Sequence, residues 1–242
     1  MELIETVRVE RGRAVLISYH YRRLRRGALS LGFPLNLSKQ DFEKLLVNRW
    51  KEDGGGIKLV RFSLSENGSF SVSSRDCLKR ERVRLKSVYS VKRFYSAVST
   101  QKTSTGAEIS KFAFEEAKKL GYDEAITYSP EGFVSECAFA NLFFFKDGIL
   151  FTPSLKTGCL RGTRREFILE LAEEMGIPIV EGFFKVEELL KADEVFITSA
   201  REDTCLVVEI DGFKLKEPQG KPIFRRIREV IEWIEFKGHK AP

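Results

Sequence analysis

Histidine and cysteine are scarce in this chain of 242 residues, which has two histidines and four cysteines. The cysteines show neither paired spacing nor a nearby histidine cluster, so no disulfide framework or zinc site is expected. His20 and His239 are too few for most hydrolytic triads and metal centres. No secretory signal and no apolar run long enough to span a bilayer are present. These absences predict a cytoplasmic protein without a membrane segment.

Charge is distributed unevenly along the chain. Residues 1–103 carry 22 Lys and Arg against 10 Asp and Glu, whereas the remainder carries 19 against 25. A basic N-terminal half indicates either an anionic ligand or a nucleic-acid surface. Ordinary solvated charge explains the same numbers equally well, so composition leaves all three interpretations open.

Strand and helix signals interleave, which predicts an α/β or α+β fold rather than a helical bundle. The first predicted unit covers residues 1–94. Within it, apolar residues at helical spacing predict a helix over 18–31 with Ser18 as its N-cap. The pair Asn67-Gly68 is typical of a β-hairpin turn.

A polar linker over 95–103 is predicted to lead into a second unit, residues 104–242. This unit opens with a helix over 105–120, which is predicted to bury an apolar stripe. The stripe consists of Ile109, Phe112, Ala113, Ala117 and Leu120. Alternating strands and helices then continue to a last helix over 221–236.

Lys102 stands between the polar linker and this apolar helix. A lysine becomes a nucleophile only when burial or a neighbouring positive charge lowers its pKa. The position permits burial, although most lysines are surface groups. Further along, a glutamate, a small residue, an asparagine, an aliphatic and an aromatic residue follow one another at short spacing, with a Leu-x-Gly segment behind them. These residues are Glu136, Ala138, Asn141, Leu142, Phe143, Leu160 and Gly162.

Lys102, the Gly121-Tyr122-Asp123-Glu124 segment after its helix and the Glu136 motif together resemble the class IV aminotransferase family. These are the fold-type IV enzymes that use pyridoxal 5′-phosphate (PLP). Within the family the chain looks most like the aminodeoxychorismate lyases. The resemblance implies a two-domain α/β fold like that of D-amino acid aminotransferase. It also implies PLP in the cleft between the domains and a homodimer.

The resemblance assigns roles to individual residues. Lys102 would bind PLP covalently, and Glu136 would keep the pyridine nitrogen protonated so that the ring accepts electrons. Arg23, within a His-x-x-Arg-Leu segment that starts at His20, would grip the phosphate. The remaining expected cofactor contacts are Asn141, Gly162, Thr163, Ser199 and Ala200.

Several positions depart from the family pattern. Thr163 replaces an aliphatic residue, Ala107 replaces the usual aromatic, and Ala200 cannot supply the usual side-chain hydrogen bond. Ser199 or a backbone N–H is therefore expected to serve in its place. The family also has a strand and a Gly-Asp-Gly turn ahead of the first strand here, so a shortened N-terminus is expected.

Thr6 distinguishes the subgroups, because the lyases have a threonine there that assists elimination and branched-chain aminotransferases usually have glycine. Lys58 and Arg61 lie on a strand where relatives bind a substrate carboxylate, although an exposed basic strand face explains them as well. The predicted substrate is a small amine with carboxylates.

The predicted function is therefore conversion of 4-amino-4-deoxychorismate to 4-aminobenzoate and pyruvate, in folate biosynthesis. A branched-chain or D-amino acid aminotransferase is the alternative, because the same residues would perform that reaction. A basic nucleic-acid-binding protein without cofactor chemistry is a remote third interpretation. It lacks a recognised nucleic-acid motif, so no nucleic-acid or membrane partner is expected.

Overall fold

The computed structural model of the chain describes residues 1–237, so His239 and the end of the predicted second unit lie outside the described part. The strands are β1 (Glu2–Glu10), β2 (Arg13–Ala14), β3 (Ile57–Ser65), β4 (Phe70–Asp76), β5 (Arg82–Lys92), β6 (Glu124–Tyr128), β7 (Val134–Cys137), β8 (Asn141–Lys146), β9 (Ile149–Pro153), β10 (Ile179–Gly182), β11 (Glu194–Thr198), β12 (Cys205–Ile210) and β13 (Phe213–Lys214). The helices are α1 (Ile17–Leu31), α2 (Lys39–Glu52), α3 (Ser104–Lys119), α4 (Thr163–Glu174), α5 (Val186–Leu190) and α6 (Ile223–Glu232), with a 3₁₀ turn at Leu155–Thr157 and a π-helical turn at Trp233–Lys237. Within residues 1–237, no helix combines the length and the apolar character that crossing a membrane requires.

The first sheet has four antiparallel strands in the order β2-β1-β3-β4. Successive side chains on a strand point to opposite faces. Val7 of β1 and the pair Val60 and Phe62 of β3 belong to an apolar core that also contains residues of α1 and α2. Thr6 and Arg61, which are directly paired across β1 and β3, therefore point to the other face of the sheet.

The second sheet has nine strands, with β10-β9-β8-β11-β12-β5-β6-β7 as its main path and β13 paired to β12. β5 lies in its interior, parallel to both β12 and β6. The sequence interpretation assigned these residues to the first unit, because a strand pattern does not reveal which sheet the strand will join. The change of sheet therefore occurs between β4 and β5, and the division into two domains at 95–103 stays a prediction.

Helix α3 packs on β5 and β6 through the small residues of the predicted apolar stripe rather than through its large ones. Ala113 and Ala117 are fully buried, whereas Ile109, Phe112 and Leu120 are 42%, 71% and 61% exposed. The prediction of burial was wrong for these three residues. The small alanine side chains allow the helix to approach the sheet closely, and the large side chains turn outward.

Local signals at the ends of elements were only partly interpreted correctly. Ser18 is not the N-cap of α1, because the helix begins after Leu16, which adopts a left-handed conformation with φ 54°. The Leu16 N–H donates to the Glu235 side chain at 2.9 Å, a partner 219 positions away that no local pattern reveals. The predicted Asn67-Gly68 turn is confirmed, with Gly68 at φ 84° between β3 and β4.

The buried Glu194 carboxylate ties β11 to the start of α6. Its oxygens accept hydrogen bonds from the Ile223 N–H at 2.9 Å and the Phe224 N–H at 2.7 Å. Glu194→Ala leaves two buried donors without a partner, so we expect the free energy of unfolding in urea to fall by about 1 to 3 kcal/mol. Glu229→Ala, at an exposed position of the same helix, is the control and should change it by less than about 0.5 kcal/mol. Equal losses in the two variants would contradict this capping role.

Candidate active site

A cavity of about 340 Å³ opens on the face of the first sheet that points away from α1 and α2. Residues of the second sheet, of α3 and of the loop after β11 form its other walls. Ten of the eleven predicted site residues line it. They are Thr6, Arg23, Arg61, Lys102, Glu136, Asn141, Gly162, Thr163, Ser199 and Ala200.

Lys58 is the predicted site residue that does not line the cavity. It is three positions from Arg61, so strand alternation directs it to the opposite face of β3. Its Nζ lies 2.7 Å from the Asp76 carboxylate, its cross-strand partner on β4. The assignment of Lys58 to substrate binding was wrong for this reason.

Lys102 is held at the junction between the two sheets. Its carbonyl oxygen accepts a hydrogen bond from the Ile4 N–H of β1 at 2.8 Å, and Thr103 pairs with Leu3 in an isolated bridge. The Thr103 hydroxyl then accepts from the Gly106 N–H at 3.1 Å and caps α3. The backbone is therefore fixed on both sides of Lys102, while its side chain reaches the cavity.

The surroundings of Lys102 favour its neutral amine. Burial lowers its pKa to about 8, and the nearby charge of Arg23 acts in the same direction. Glu5 opposes this shift, whereas Arg61 and Arg164 add to it. A lysine in these surroundings is a usable nucleophile and proton acceptor near neutral pH.

Glu5 lies behind the cavity wall and organises the arginines there. Its carboxylate accepts from Arg23 Nε at 2.7 Å and from Arg23 Nη2 at 2.6 Å. It also lies 2.6 Å from His20 Nδ1, and His20 Nε2 lies 2.8 Å from Arg164 Nη1. Glu5 thus connects two arginines of the cavity, Arg23 directly and Arg164 through His20.

The protonation states in this cluster follow from burial and charge. Burial alone would raise the pKa of Glu5, but the Arg23 charge and the hydrogen bond from His20 hold it at about 2. Burial lowers the pKa of His20 to about 3, so the ring is neutral at physiological pH. With Arg164 as donor to Nε2, Nδ1 carries the proton and donates to Glu5. Burial also lowers the pKa of Arg164, to about 10, although Asp203 lies 3.3 Å away.

The N-terminus of α4 forms one end of the cavity. Gly162 precedes the helix, and no side chain caps the backbone N–H groups of its first turn. A Cβ at Gly162 would lie 1.9 Å from Asn141 Oδ1, so only glycine fits this position. The Asn141 amide donates to the Leu160 carbonyl at 2.9 Å and lies 3.5 Å from Glu136. Asn141 therefore holds the segment that leads into α4.

Glu136 lies at a different part of the cavity, on β7. It accepts from the Leu160 N–H at 3.0 Å and lies 3.5 Å from Arg93 Nε. Burial raises its pKa, against the charge of Arg93. Arg93 also donates to Ser110 of α3 at 2.8 Å, so it fixes Glu136 relative to that helix. No sequence signal identified Arg93, because a single arginine near a predicted linker looks like a surface residue.

The loop after β11 supplies a third part of the wall. The Ser199 hydroxyl donates to Glu202 and accepts from the Arg201 N–H at 3.1 Å, so it is engaged within the loop. Ala200 and Ala107 also line the cavity and leave it wider than larger side chains would.

Glu124 and Glu202 share Arg80 at the cavity wall, a cluster that the sequence interpretation missed. Arg80 Nε lies 2.7 Å from Glu202, and its Nη2 lies 4.0 Å from Glu124. Burial raises the pKa of Glu124 to about 7, and the charge of Arg80 opposes this shift. These residues are far apart in sequence, so only the fold brings them together.

Comparison with known proteins identifies the family. The family model "Amino-transferase class IV" matches residues 2–209. The chain belongs to the class IV aminotransferase family. Enzymes of this family depend on PLP.

Two curated relatives indicate how far the similarity extends. A branched-chain-amino-acid aminotransferase from Escherichia coli (strain K12) is 39% identical over 116 residues, which are 48% of this chain and 38% of that protein. The match to this relative thus spans well under half of its length. A probable branched-chain-amino-acid aminotransferase from Thermotoga maritima is 29% identical over 232 residues, 94% of this chain and 84% of that protein.

Solved structures support the two-sheet fold. A branched-chain aminotransferase from Thermoproteus uzoniensis with norvaline has a TM-score of 0.85 at 27% identity, over 96% of this chain and 84% of that one. A Legionella pneumophila protein provisionally named a 4-amino-4-deoxychorismate lyase has a TM-score of 0.82 at 23% identity, over 96% of this chain and 90% of that one. The second likeness shows the fold alone.

The depressed pKa of Lys102 predicts a pH-dependent effect on stability. Below pH 8 the folded protein must bury the charged Lys102 amine, which destabilises it. Between pH 8 and the ordinary lysine pKa of 10.5, the unfolded chain binds more protons than the folded one, so this destabilisation decreases as the pH rises. Lys102→Met should therefore raise the melting temperature of the cofactor-free protein at pH 7. The gain should shrink as the pH rises from 8 to 10.

Thermal unfolding at several pH values in a fluorescence assay measures this effect. Lys111→Met, at an exposed position on α3, is the matched control and should show no such trend. A gain that does not change with pH would mean that Lys102 is an ordinary charged lysine in the folded protein.

Proposed function

We propose that the protein is a PLP-dependent aminotransferase, which moves an amino group from an amino acid to a 2-oxo acid. The observation that carries the proposal is the position of Lys102, a lysine of lowered pKa in a cavity that also contains a buried carboxyl group and an uncapped helix N-terminus. PLP has the matching groups, an aldehyde, a pyridine nitrogen and a phosphate.

The end of the cavity at α4 suits the phosphate. Free backbone N–H groups and the helix dipole favour an anion at this position. Arg23 uses Nε and Nη2 for Glu5, so its Nη1 has capacity for a phosphate oxygen. Thr163 can add its hydroxyl, and the loop at 199–200 can add backbone N–H groups, because the Ser199 hydroxyl is already engaged.

Glu136 suits the pyridine nitrogen. A carboxylate beside this nitrogen keeps the nitrogen protonated. Because burial raises the pKa of Glu136, its carboxyl group favours sharing a proton with the pyridine nitrogen. Arg93 and the Leu160 N–H hold the carboxyl group in place. Asn141 acts on the cofactor through these neighbours rather than by direct contact.

When bound, PLP supplies an electron sink for the substrate's α-carbon. Lys102 would hold the cofactor through its side-chain nitrogen. The same amine would accept and donate the proton at the substrate's α-carbon, a task for which a lysine with a pKa near 8 is well matched. Arg61, on the cavity face of β3, binds a substrate carboxylate.

The names of the relatives favour amino transfer. The E. coli and T. maritima proteins and the T. uzoniensis structure are all described as branched-chain aminotransferases. These relatives support an aminotransferase function more than the lyase function that the sequence motifs suggested first.

Thr6 favours the lyase as a second candidate. It lies on the cavity face of β1, directly opposite Arg61 in the strand register. A hydroxyl at this place could assist departure of the enolpyruvyl group, with Lys102 removing the proton from the amine-bearing ring carbon of 4-amino-4-deoxychorismate. The products would be 4-aminobenzoate and pyruvate.

One experiment separates the two reactions. Purified protein loaded with PLP is given an amino acid with 2-oxoglutarate, or 4-amino-4-deoxychorismate, and the products are measured by chromatography. We expect new amino and oxo acids in the first mixture. Lys102→Ala should lower this rate at least about 10³-fold and abolish the visible absorption of lysine-bound PLP, because nucleophile and proton carrier are both lost.

Thr6→Val is the second variant in this experiment. It should leave amino transfer within a few-fold of wild type, whereas a lyase would lose pyruvate release. Formation of 4-aminobenzoate with pyruvate, and no amino transfer, would replace the proposed function with the lyase. Failure of both reactions in a protein that binds PLP would contradict both.

The proposal includes a homodimer. Five apolar side chains in the segment 94–112 are strongly exposed, and the same segment contains cavity residues on either side of Lys102. The five are Phe94, Tyr95, Val98, Ile109 and Phe112. Apolar surface of this kind beside a site favours a protein interface, and a second copy of the chain would cover it.

Light scattering during size-exclusion chromatography tests the dimer. Wild type should elute with twice the mass of one chain, and Phe112→Asp should shift the protein toward the monomer, because a buried charge opposes association. Phe213→Asp, at a residue of β13 that is 64% exposed, is the control and should leave the mass unchanged. A monomeric wild type at micromolar concentration would contradict the dimer.

A further inference from the structure

Glu202 is a buried carboxylate in the cavity wall that the proposed reaction does not use. It lies in the loop after β11, residues 199–204, and is 1% exposed. A carboxylate removed from water is tolerated only when charged or hydrogen-bonding partners satisfy its oxygens. Both oxygens of Glu202 have such a partner, since Arg80 Nε lies 2.7 Å from one and the Ser199 hydroxyl donates to the other. Glu202 therefore joins Arg80 to the first residue of the loop.

Arg80 is anchored outside this loop, in the segment between β4 and β5. Its Nη1 donates to the Asp123 carbonyl oxygen at 2.8 Å, and its Nη2 lies 4.0 Å from the Glu124 carboxylate at the start of β6. Because the guanidinium group is planar and rigid, these contacts fix its orientation as well as its position. Arg80 thus ties the loop after β11 to β6, which is three places away from β11 in the order of the second sheet.

The Ser199 hydroxyl passes this anchoring on to the backbone of the loop. While it donates to Glu202, it accepts from the Arg201 N–H at 3.1 Å, and the Ser199 carbonyl oxygen accepts from the Asp203 N–H at 3.0 Å. These bonds close the turn around Ala200, whose N–H has no acceptor within residues 1–237. The turn therefore holds a free backbone donor at the wall of the cavity.

We infer that Arg80 is a positioning residue for the cofactor phosphate, acting through Glu202 and Ser199 on the backbone N–H of Ala200. The inference rests on the proposed function, in which the loop at 199–200 contributes backbone N–H groups to the phosphate. Because Ala200 has no side-chain donor, the placement of its N–H decides what the loop contributes. A donor that is already held in place binds an anion without the entropy cost of ordering the loop.

Pyridoxine 5′-phosphate and pyridoxine test this role without chemistry, because they differ only in the phosphate and neither has the aldehyde that reacts with Lys102. Binding of each to the full-length, cofactor-free protein is measured by calorimetry at fixed ionic strength. The ratio of the two dissociation constants isolates the contribution of the phosphate. In wild type the phosphorylated ligand should bind at least about 100-fold more tightly, as expected for two or more hydrogen bonds to a charged group.

Variants along the chain of contacts locate the effect. Arg80→Gln should lower this ratio about 10-fold, because the loop donor is no longer held in place. Ser199→Ala should lower it by a similar factor, since it breaks the same chain of contacts. The double variant should lose no more than the larger of the two single losses, because residues that act through one another are not additive. Arg80→Lys keeps a positive charge beside Glu202 and should recover part of the ratio.

Arg84→Gln is the matched control. Arg84 also donates to a main-chain carbonyl of the segment before β6, at Gly121, but it is exposed and lies outside the cavity. Its replacement should leave the affinities for both ligands unchanged. An unchanged affinity for pyridoxine in every variant shows that the fold and the rest of the cavity are intact.

The outcomes separate this inference from the proposed function. A phosphate preference that Arg80→Gln and Ser199→Ala reduce alike, without further loss in the double variant, supports the positioning role even in a protein that transfers no amino groups. An unchanged preference, or equal losses for both ligands, would overturn the inference alone. So would losses that multiply in the double variant, because Arg80 would then contact the phosphate directly. A wild type without any preference for the phosphorylated ligand would overturn the phosphate assignment of the proposed function as well.

Discussion

The buried carboxylate of Glu5 is the constraint on which the site depends. It is almost fully removed from water, so it is tolerable only with Arg23 and His20 bound to it. Loss of one partner from such a buried pair typically costs about 3 to 5 kcal/mol. Because His20 also holds Arg164, this one group sets the position of two positive charges beside Lys102. The Lys102 amine owes its lowered pKa to burial together with these charges.

Much of the site was predictable from residues close together in the sequence. The Lys102 helix, the Glu136 motif and Gly162 each carry local information, and the fold brings ten of the eleven expected residues to one cavity. Lys58 failed because proximity in sequence does not determine the face of a strand. Both Lys58 and Arg61 were selected as basic residues on β3. Side chains alternate between the two faces of a strand, so only Arg61 lines the cavity and Lys58 pairs with Asp76 on the other face.

The rest of the site depends on contacts between distant residues. Arg93 contacts Glu136, and Glu235 holds Leu16, across 43 and 219 positions. Neither pairing follows from periodicity or from a turn signal. The same limit applies to β5, whose residues were assigned to the first unit but which lies between β12 and β6 in the second sheet. On α3, a periodic apolar stripe was expected to be buried, yet only Ala113 and Ala117 of that stripe are buried and its three large side chains are exposed.

The distribution of charge differs between the end of the cavity at α4 and its corner at β3, β4 and the loop after β11. Near α4 every arginine that lines the wall has a close partner, and the uncapped helix N-terminus provides the remaining attraction for an anion. At the corner of β3, β4 and the loop after β11, arginines are present without such partners. The basic composition of the N-terminal half is therefore not only solvated charge. Part of it, namely Arg61 and Arg75, lies on the cavity face, where reduced solvation strengthens the attraction of these charges for an anion.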